Sequence, residues 1–239
     1  MGGRGCGTAV ILAGGRGTRL APVVGDRAKV LADVGGRPFL AYLLDQLTAA
    51  GCERVALCTG FRHDEMREAV GTRYRGLEVV YSHEESVAGT GGALALAAQM
   101  VDADPLLVLN GDSYCEVDLD ALWSWHRTRG ADATMVVTEV ADTSGFGRVE
   151  LDDEGRVRGF REKAPGRRPG WINAGVYVIA RARLLAIPSG RPVSLETDLL
   201  PAWIGHGLDA FQVRGCFFDI GTPDRYAGAA ARLEAQGIA

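Results

Sequence analysis

Apolar residues in the first half of the chain come in two patterns, short unbroken runs and stripes with helical spacing. Unbroken runs of about four to eight residues are typical of buried strands, whereas helical spacing is typical of one helix face. The runs predict strands at residues 8–13, 54–59, 77–82 and 105–109. The stripes predict helices at residues 38–50, 63–70, 90–100 and 118–129. Strand and helix alternate, which favours an α/β fold whose parallel sheet is covered by helices on both faces.

The pattern changes near residue 145. Residues 149–151 and 156–160 flank the turn Asp152-Asp153-Glu154-Gly155, which predicts a hairpin. Other predicted strands are 133–140, 172–179 and one or two within 211–220, and the remaining helices are 194–200 and 223–235. Because no linker or repeat separates the halves, we expect a small β-rich sub-region at the sheet edge rather than a second domain.

A glycine-rich segment, Gly14-Gly15-Arg16-Gly17-Thr18-Arg19, follows the first predicted strand. Backbone N–H groups in such a turn can bind a phosphate, and arginine side chains add positive charge. A Walker A loop would end in Gly-Lys-Ser/Thr, and a Rossmann dinucleotide loop would be followed by an acid at the end of the second strand. The segment has no such lysine, and the second strand ends in Leu57-Cys58-Thr59-Gly60, so neither motif fits. A tight turn with surface arginines remains an equal alternative for this loop considered alone.

Two acidic residues stand beside apolar strands. Asp112 follows the strand 105–109 through Asn110-Gly111, and Asp219 lies within Phe217-Phe218-Asp219-Ile220. Ligands of open α/β sheets bind beyond the carboxyl ends of the strands, and two carboxylates with phosphate oxygens and water form a normal Mg²⁺ site. A turn or helix cap is the alternative for Asp112, and a structural ion pair is the alternative for Asp219.

Lysine is scarce in this chain, so Lys29 and Lys163 stand out as candidate phosphate ligands. A compact ammonium group differs from the arginine fork that the chain uses elsewhere. A solvated surface lysine is the alternative for both. Glu162 and Asn173 could bind hydroxyl groups of a ligand, and each could equally be a turn or surface residue.

Composition narrows the classes of function. The net charge is −4, with 26 Lys and Arg against 30 Asp and Glu, which argues against nucleic acid and anionic membranes as partners. No apolar run is long enough to cross a bilayer, and the N-terminus has no apolar signal core. The 5 cysteines are dispersed, so we expect neither a zinc site nor a disulfide framework, and a cytoplasmic location fits best.

Eight motifs, in order along the chain, closely resemble those of the sugar-1-phosphate nucleotidylyltransferases. The first is Leu-Ala-Gly-Gly-x-Gly-Thr-Arg-Leu at residues 12–20, and the others lie at residues 29, 36–40, 89–92, 110–112, 160–163, 173–177 and 218–223. The resemblance implies a Rossmann-like nucleotidyltransferase fold in one domain, 1–239, with 1–140 mainly binding nucleotide and 141–239 mainly binding sugar and completing the sheet. It also implies the reaction of a nucleoside triphosphate with a sugar-1-phosphate to give a nucleotide-sugar and pyrophosphate.

The same resemblance implies roles for individual residues. The catalytic residues would be Arg16, Lys29, Asp112 and Lys163. The nucleotide would contact Leu12, Ala13, Gly14, Gly15, Gly17, Thr18, Glu84, Gly89, Thr90 and Asp112. The sugar phosphate would contact Gly147, Glu162, Lys163 and Asn173, and Mg²⁺ would be held by Asp112 and Asp219. One departure is Ala28, because the family usually has proline before the lysine that matches Lys29.

The base and the sugar can be argued one step further. The segment containing Glu84 matches the family's base-reading loop, where thymidylyl and uridylyl relatives often carry an amide. A carboxylate only accepts hydrogen bonds, and guanine offers two adjacent donors, so we expect GTP. The runs at residues 37–45 and 109–114 resemble the D-glycero-α-D-manno-heptose-1-phosphate guanylyltransferases. This favours the heptose 1-phosphate, with mannose-1-phosphate or another hexose-1-phosphate as the alternative.

Two alternative functions from other classes of protein remain. One is a nucleotide-sugar-sensing subunit without turnover, which has no need of Arg16, Lys29, Asp112, Lys163 and Asp219 together. The other is a nicotinamide-dependent oxidoreductase, disfavoured by the missing acid after the second strand. A homo-oligomer is compatible with the sequence.

Overall fold

The computed structural model describes residues 7–84, 86–162, 167–235 and 237. Its strands, in chain order, are β1 (Thr8–Leu12), β2 (Asp33–Val34), β3 (Arg37–Pro38), β4 (Arg54–Thr59), β5 (Arg73–Tyr74), β6 (Leu77–His83), β7 (Leu106–Asn110), β8 (Ser113–Cys115), β9 (Ala133–Val140), β10 (Arg148–Leu151), β11 (Val157–Arg161), β12 (Gly170–Ile179), β13 (Leu208–Val213) and β14 (Phe217–Asp219). Its helices are α1 (Ala21–Val24), α2 (Phe39–Ala49), α3 (His63–Val70), α4 (Gly89–Met100), α5 (Leu119–Arg129), α6 (Arg181–Leu185), α7 (Leu200–Trp203) and α8 (Pro223–Ala235). A 3₁₀ turn spans Lys29–Leu31, and a π-helical turn spans Leu195–Leu199.

Within these described residues, a ten-stranded sheet forms the centre of the molecule in the order β11-β10-β12-β7-β1-β4-β6-β5, with β9 beside β12 and β13 beside β9. The strands β7, β1, β4 and β6 run parallel. Strand β12 is antiparallel to β7, and β10 and β11 extend the sheet beyond it. The predicted α/β class with a mostly parallel central sheet is therefore confirmed.

Successive residues of the central strands face opposite sides of the sheet, as the two-residue period of a strand requires. On β1, Ala9 and Ile11 pack into the core shared with α2, α3, α5 and α8, while Val10 packs into the core shared with α4, α6 and α7. Helices thus cover both faces, which explains why the central strands are apolar throughout rather than alternating.

The predicted helix 194–200 is wrong in form. The N–H groups of Asp198 and Leu199 both donate to the carbonyl of Ser194, which opens a π-helical turn, and α7 begins only at Leu200. Residues 211–220 divide between two strands with different partners, β13 beside β9 and β14 beside β8. The hydrogen bonds of this region come from distant segments, which a local pattern does not report.

The structure also corrects the expectation for the cysteines. Cys52 is disulfide-bonded, whereas Cys58, Cys115 and Cys216 are free.

None of the helices in the described part of the chain is both long and apolar enough to span a membrane.

Candidate active site

The parallel strands β1, β4, β6 and β7 end at one side of the sheet, where they open into a cavity of about 910 Å³. The residues predicted from the sequence that line this cavity are Leu12, Ala13, Gly14, Gly15, Arg16, Gly17, Thr18, Lys29, Glu84, Gly89, Thr90, Asp112, Gly147, Glu162, Asn173 and Asp219. Lys163 lies outside the described residues, so its role stays a prediction. The structure therefore brings every described member of the predicted site to one crevice.

An ion pair forms the centre of the cavity. Lys29 Nζ lies 2.6 Å from Asp112 Oδ2, with the lysine side chain 14% exposed and the aspartate side chain 43% exposed. Lys29 begins a 3₁₀ turn whose next two residues, Val30 and Leu31, are buried. Because the turn is packed in place, the ammonium group lies in the cavity rather than on a solvent-exposed side chain.

Asp219 joins this cluster through strand pairing. Strand β14 pairs with β8 so that Asp219 lies opposite Ser113, and Ile220 N donates to the carbonyl of Asp112 at 3.0 Å. The Asp219 carboxylate accepts from Gly221 N at 2.7 Å and lies 3.2 Å from Arg225 Nη1. The two predicted metal ligands, separated by more than a hundred residues in the chain, are thus neighbours.

Burial raises the pKa of Asp219, and the negative charge of Asp112 acts in the same direction. The guanidinium of Arg225 and the N–H of Gly221 oppose the rise. The site therefore concentrates negative charge on two carboxylates and balances it with Lys29 and Arg225. Such a balance suits a ligand that carries both phosphate oxygens and a cation.

The donor set fits Mg²⁺ in its chemistry. Two carboxylates face the cavity, and Mg²⁺ usually takes one or two protein carboxylates together with water and substrate phosphates. The described residues contain no group of three or more His, Cys, Asp or Glu that could enclose a metal by themselves. Asp112 and Asp219 would hold the ion only together with a bound phosphate ligand.

Glu84 lies at the other end of the glycine loop. Its Oε2 accepts from Ala88 N at 2.9 Å, and its Oε1 lies 3.3 Å from the point that a Cβ on Gly14 would occupy. One carboxylate oxygen thus orders the loop before α4, and the other faces the end of β1. Beneath it, burial and the charge of Glu84 raise the pKa of the Cys58 thiol well above its usual range.

Thr90, predicted to contact the nucleotide, has its hydroxyl bound within the protein. It donates to Glu196 Oε2 at 2.8 Å and accepts from Leu195 N at 2.7 Å. Gly91 N also donates to the carbonyl of Val193 at 2.8 Å. The start of α4 is therefore packed against the segment 193–196, so part of the glycine pattern at residues 89–92 serves packing.

The predicted sugar end lies around a bulge in β12. The pairing of β12 with β9 shifts between Asn173 and Tyr177, and Asn173 Nδ2 donates to the Tyr177 hydroxyl at 2.6 Å. Asn173 N donates to the carbonyl of Gly147 at 2.8 Å. Glu162 Oε2 lies 2.9 Å from the point that a Cβ on Gly147 would occupy. These three predicted residues are therefore adjacent.

The departure at Ala28 has a structural counterpart. Ala28 N donates to Glu65 Oε2 at 3.1 Å, which connects the residue before Lys29 to helix α3. Proline has no N–H and could not make this bond. In this chain the Lys29 turn therefore has a hydrogen bond to α3 that a proline at this position would remove.

Some polar residues of the cavity lining were not predicted as site residues, and three of them are Asn110, Glu196 and Arg225. Asn110 Oδ1 is buried without a hydrogen-bond partner among the described atoms. Asn110 belongs to the motif at residues 110–112, so the sequence offered a reason to expect it in the site. Glu196 and Arg225 lie in helical turns, where a charged residue is ordinarily solvated.

Comparisons with known proteins cover almost the whole chain. Residues 8–236 match the profile of the family described as Nucleotidyl transferase. The chain is 37% identical over 235 residues to the mannose-1-phosphate guanylyltransferase of Mycobacterium tuberculosis, covering 97% of this chain and 65% of that protein. It is 33% identical over 227 residues to the D-glycero-alpha-D-manno-heptose 1-phosphate guanylyltransferase of Aneurinibacillus thermoaerophilus, covering 95% of this chain and 98% of that one.

The fold of this chain also matches that of a solved structure. HddC from Yersinia pseudotuberculosis, complexed with GMP-PN, superposes with a TM-score of 0.84 at 32% identity and covers 95% of this chain and 99% of its own. The chain spans less than two thirds of the mannose-1-phosphate relative, at 65% of its length, but nearly all of the heptose 1-phosphate relative, at 98%.

Proposed function

The chain belongs to the nucleotidyl transferase family, and we propose that it is a sugar-1-phosphate guanylyltransferase that forms a nucleotide-sugar and pyrophosphate. The observation that carries this proposal is the cluster of Lys29, Asp112 and Asp219, which lies in one cavity between the glycine loop and the residues of the predicted sugar end. The names of the guanylyltransferase relatives support the same reaction class.

The proposed reaction is an in-line phosphoryl transfer. An oxygen of the sugar phosphate attacks the α-phosphorus of GTP, the new P–O bond forms, and the bond to the β-phosphate breaks so that pyrophosphate leaves. Such a reaction needs positioning and charge neutralisation more than covalent help from the protein. A Mg²⁺ ion held by Asp112 and Asp219 would supply part of that neutralisation.

Backbone and side-chain groups of the protein would neutralise the rest of the phosphate charge. We assign the backbone of Gly14, Gly15 and Gly17, with Thr18, to the nucleotide phosphates, and Arg16 to the charge on the leaving pyrophosphate. We assign Lys29 to the α-phosphate, and its ion pair with Asp112 inside the cavity supports this assignment. Lys163 remains the predicted ligand of the sugar phosphate. This division puts the nucleotide mainly on residues 1–140 and the sugar mainly on residues 141–239.

The base proposal depends on Glu84. Its Oε2 accepts from Ala88 N, which leaves Oε1 to accept from the N1–H or N2–H₂ of guanine. We expect Glu84→Gln to lower the ratio of kcat/KM for GTP to that for UTP about tenfold, because an amide presents a donor where guanine also donates. Steady-state kinetics with both nucleotides measure this ratio.

Glu78→Gln is the matched control, since Glu78 lies on β6, the strand that ends one residue before Glu84, and forms an ion pair with Arg54 at 2.9 Å outside the cavity. It should leave the base ratio unchanged. An unaltered ratio in Glu84→Gln would refute the carboxylate argument.

For the sugar we propose D-glycero-α-D-manno-heptose 1-phosphate, because the relative with that name matches this chain over nearly its full length. Mannose-1-phosphate is the second candidate, because a relative named for it has the higher identity, 37%. The extra carbon of the heptose needs only one or two additional contacts. Residues 145–147 and Asn173 line the cavity at the predicted sugar end and are the candidates for these contacts.

The experiment is to incubate the protein with Mg²⁺, each nucleoside triphosphate in turn and a panel of sugar-1-phosphates, and to measure released pyrophosphate. Release with GTP and the heptose 1-phosphate would support the full proposal. Release with another sugar would retain the reaction and replace the substrate. Absence of release with every pair would overturn the proposal in favour of a non-catalytic nucleotide-sugar sensor.

A further inference from the structure

Arg225 lies in the first turn of α8, where a cation is ordinarily unfavourable. The first turn of a helix carries a partial positive charge, so this position favours acidic residues, such as the neighbouring Asp224. The Arg225 side chain is nevertheless only 28% exposed and lines the cavity. Its position must therefore be stabilised by contacts outside its own helix.

Those contacts lie on two structural elements. Nη1 lies 3.3 Å from Asp219 Oδ1 and 3.2 Å from Asp219 Oδ2. Nη2 donates to the carbonyl of Ser144 at 3.0 Å, and the guanidinium lies over the ring of Phe146, 3.9 Å from its centroid. One planar group thus contacts both the Asp219 carboxylate of the central cluster and the 144–147 loop (residues 144–147).

The loop is shaped around this side chain. Gly145 has a φ of +79°, and a Cβ placed on it would lie 2.6 Å from Arg225 Nη2. Any larger residue at this position would displace the guanidinium. The next residues, Phe146 and Gly147, lead to Asn173 through its hydrogen bond to the Gly147 carbonyl. A shift of Arg225 would therefore move the proposed sugar end.

We propose that Arg225 is a positioning residue that joins the Asp219 carboxylate to the 144–147 loop and so sets the spacing between the reacting phosphates and the sugar. The kinetic part of this proposal rests on the proposed function, whereas the structural link between Arg225 and the loop does not. Arginine suits this place because its two Nη atoms bind the carboxylate and the carbonyl separately while its plane lies over Phe146, whereas lysine offers a single nitrogen.

The test compares Arg225→Met with a matched control, Arg183→Met. Arg183 is also 28% exposed and makes the same kinds of contact, an ion pair with Asp132 at 2.6 Å, a hydrogen bond to the His206 carbonyl and a face contact with Trp203. Arg183 lies outside the cavity lining. Any effect common to both variants therefore reports general loss of an arginine contact.

We expect Arg225→Met to raise the KM for the sugar-1-phosphate about tenfold and to lower kcat about tenfold, because small misplacements of reacting groups cost orders of magnitude in rate. Equilibrium binding of GTP in the absence of Mg²⁺, measured by calorimetry, should change less than about threefold, because Arg225 contacts Asp219 and the 144–147 loop rather than the glycine loop. Arg225→Lys should fall between the wild type and Arg225→Met. Arg183→Met should match the wild type in all three quantities.

Hydrogen exchange without ligand separates this proposal from the proposed function. In Arg225→Met and in Asp219→Asn, the amides of residues 143–147 should exchange several-fold faster than in the wild type, and in Arg183→Met they should not. This holds even if the wild type turns over no sugar-1-phosphate. Unchanged exchange in Arg225→Met, or equal weakening of GTP and sugar binding, would overturn the positioning role. If Arg225→Met fails to fold, the same exchange measurement on Arg225→Lys decides.

Discussion

Asp112→Asn should lower kcat at least about a hundredfold, which corresponds to about 2.7 kcal/mol of transition-state stabilisation. The substitution keeps the size of the side chain but removes the charge that lies 2.6 Å from Lys29 Nζ. It therefore leaves a largely buried ammonium without its counter-charge and removes one of the two carboxylates proposed to hold Mg²⁺. Steady-state rates of pyrophosphate release at saturating Mg²⁺ measure the loss.

Asp132→Asn is the control for this prediction. Asp132 makes an ion pair of the same length, 2.6 Å, with Arg183, and its side chain is 54% exposed against 43% for Asp112. Because this pair lies away from the cavity, the variant should keep normal kcat. Near-normal turnover in Asp112→Asn would remove Asp112 from the proposed catalytic centre.

Gly89→Ala should lower the free energy of unfolding by about 3 kcal/mol, the sum of a backbone term and an overpacking term. Gly89 has a φ of +76°, and a Cβ on it would lie 2.4 Å from the carbonyl oxygen of Val193. The backbone at both places would have to move apart, which would separate α4 from the segment 193–196. Urea unfolding followed by tryptophan fluorescence measures the change.

Gly130→Ala is the control for the backbone term. Gly130 is left-handed, with φ +59° and ψ +32°, but nothing lies within 4 Å of the point that its Cβ would occupy. This variant should lose only about 1 kcal/mol, the usual cost of a non-glycine residue at positive φ. If the two alanine variants lost the same stability, the contact with Val193 would not be what selects glycine at position 89.

Gly89 also shows how one motif can have two explanations. The sequence pattern at residues 89–92 resembles a nucleotide-binding segment, and the structure does place Gly89 and Thr90 on the cavity wall. The hydroxyl of Thr90, however, is bound to Glu196 and Leu195. The family resemblance therefore selected residues that line the cavity, but the contacts seen for Thr90 join segments more than a hundred positions apart.

Some charged residues of the cavity were predicted from the sequence, and others were not. Lys29, Asp112 and Asp219 were placed in one site by resemblance, and their pairing in the structure is consistent with that prediction. Arg225 was not predicted, because a lone arginine at a helix start has no distinguishing spacing. Its partners Asp219 and Ser144 become visible only when α8, β14 and the 144–147 loop are packed together.

The sequence by itself determined the alternation of strands and helices, the apolar central strands, and the glycine loop after β1. The observed bounds of β4 and α3 agree with the predicted 54–59 and 63–70, because periodicity and capping are set by neighbouring residues. Only the tertiary structure decided the pairing of β8 with β14, the π-helical turn after Ser194, the disulfide of Cys52 and the position of Arg225. These features depend on contacts between distant segments, whose energy is gained only after the sheet has assembled and which leave no periodic signal in the chain.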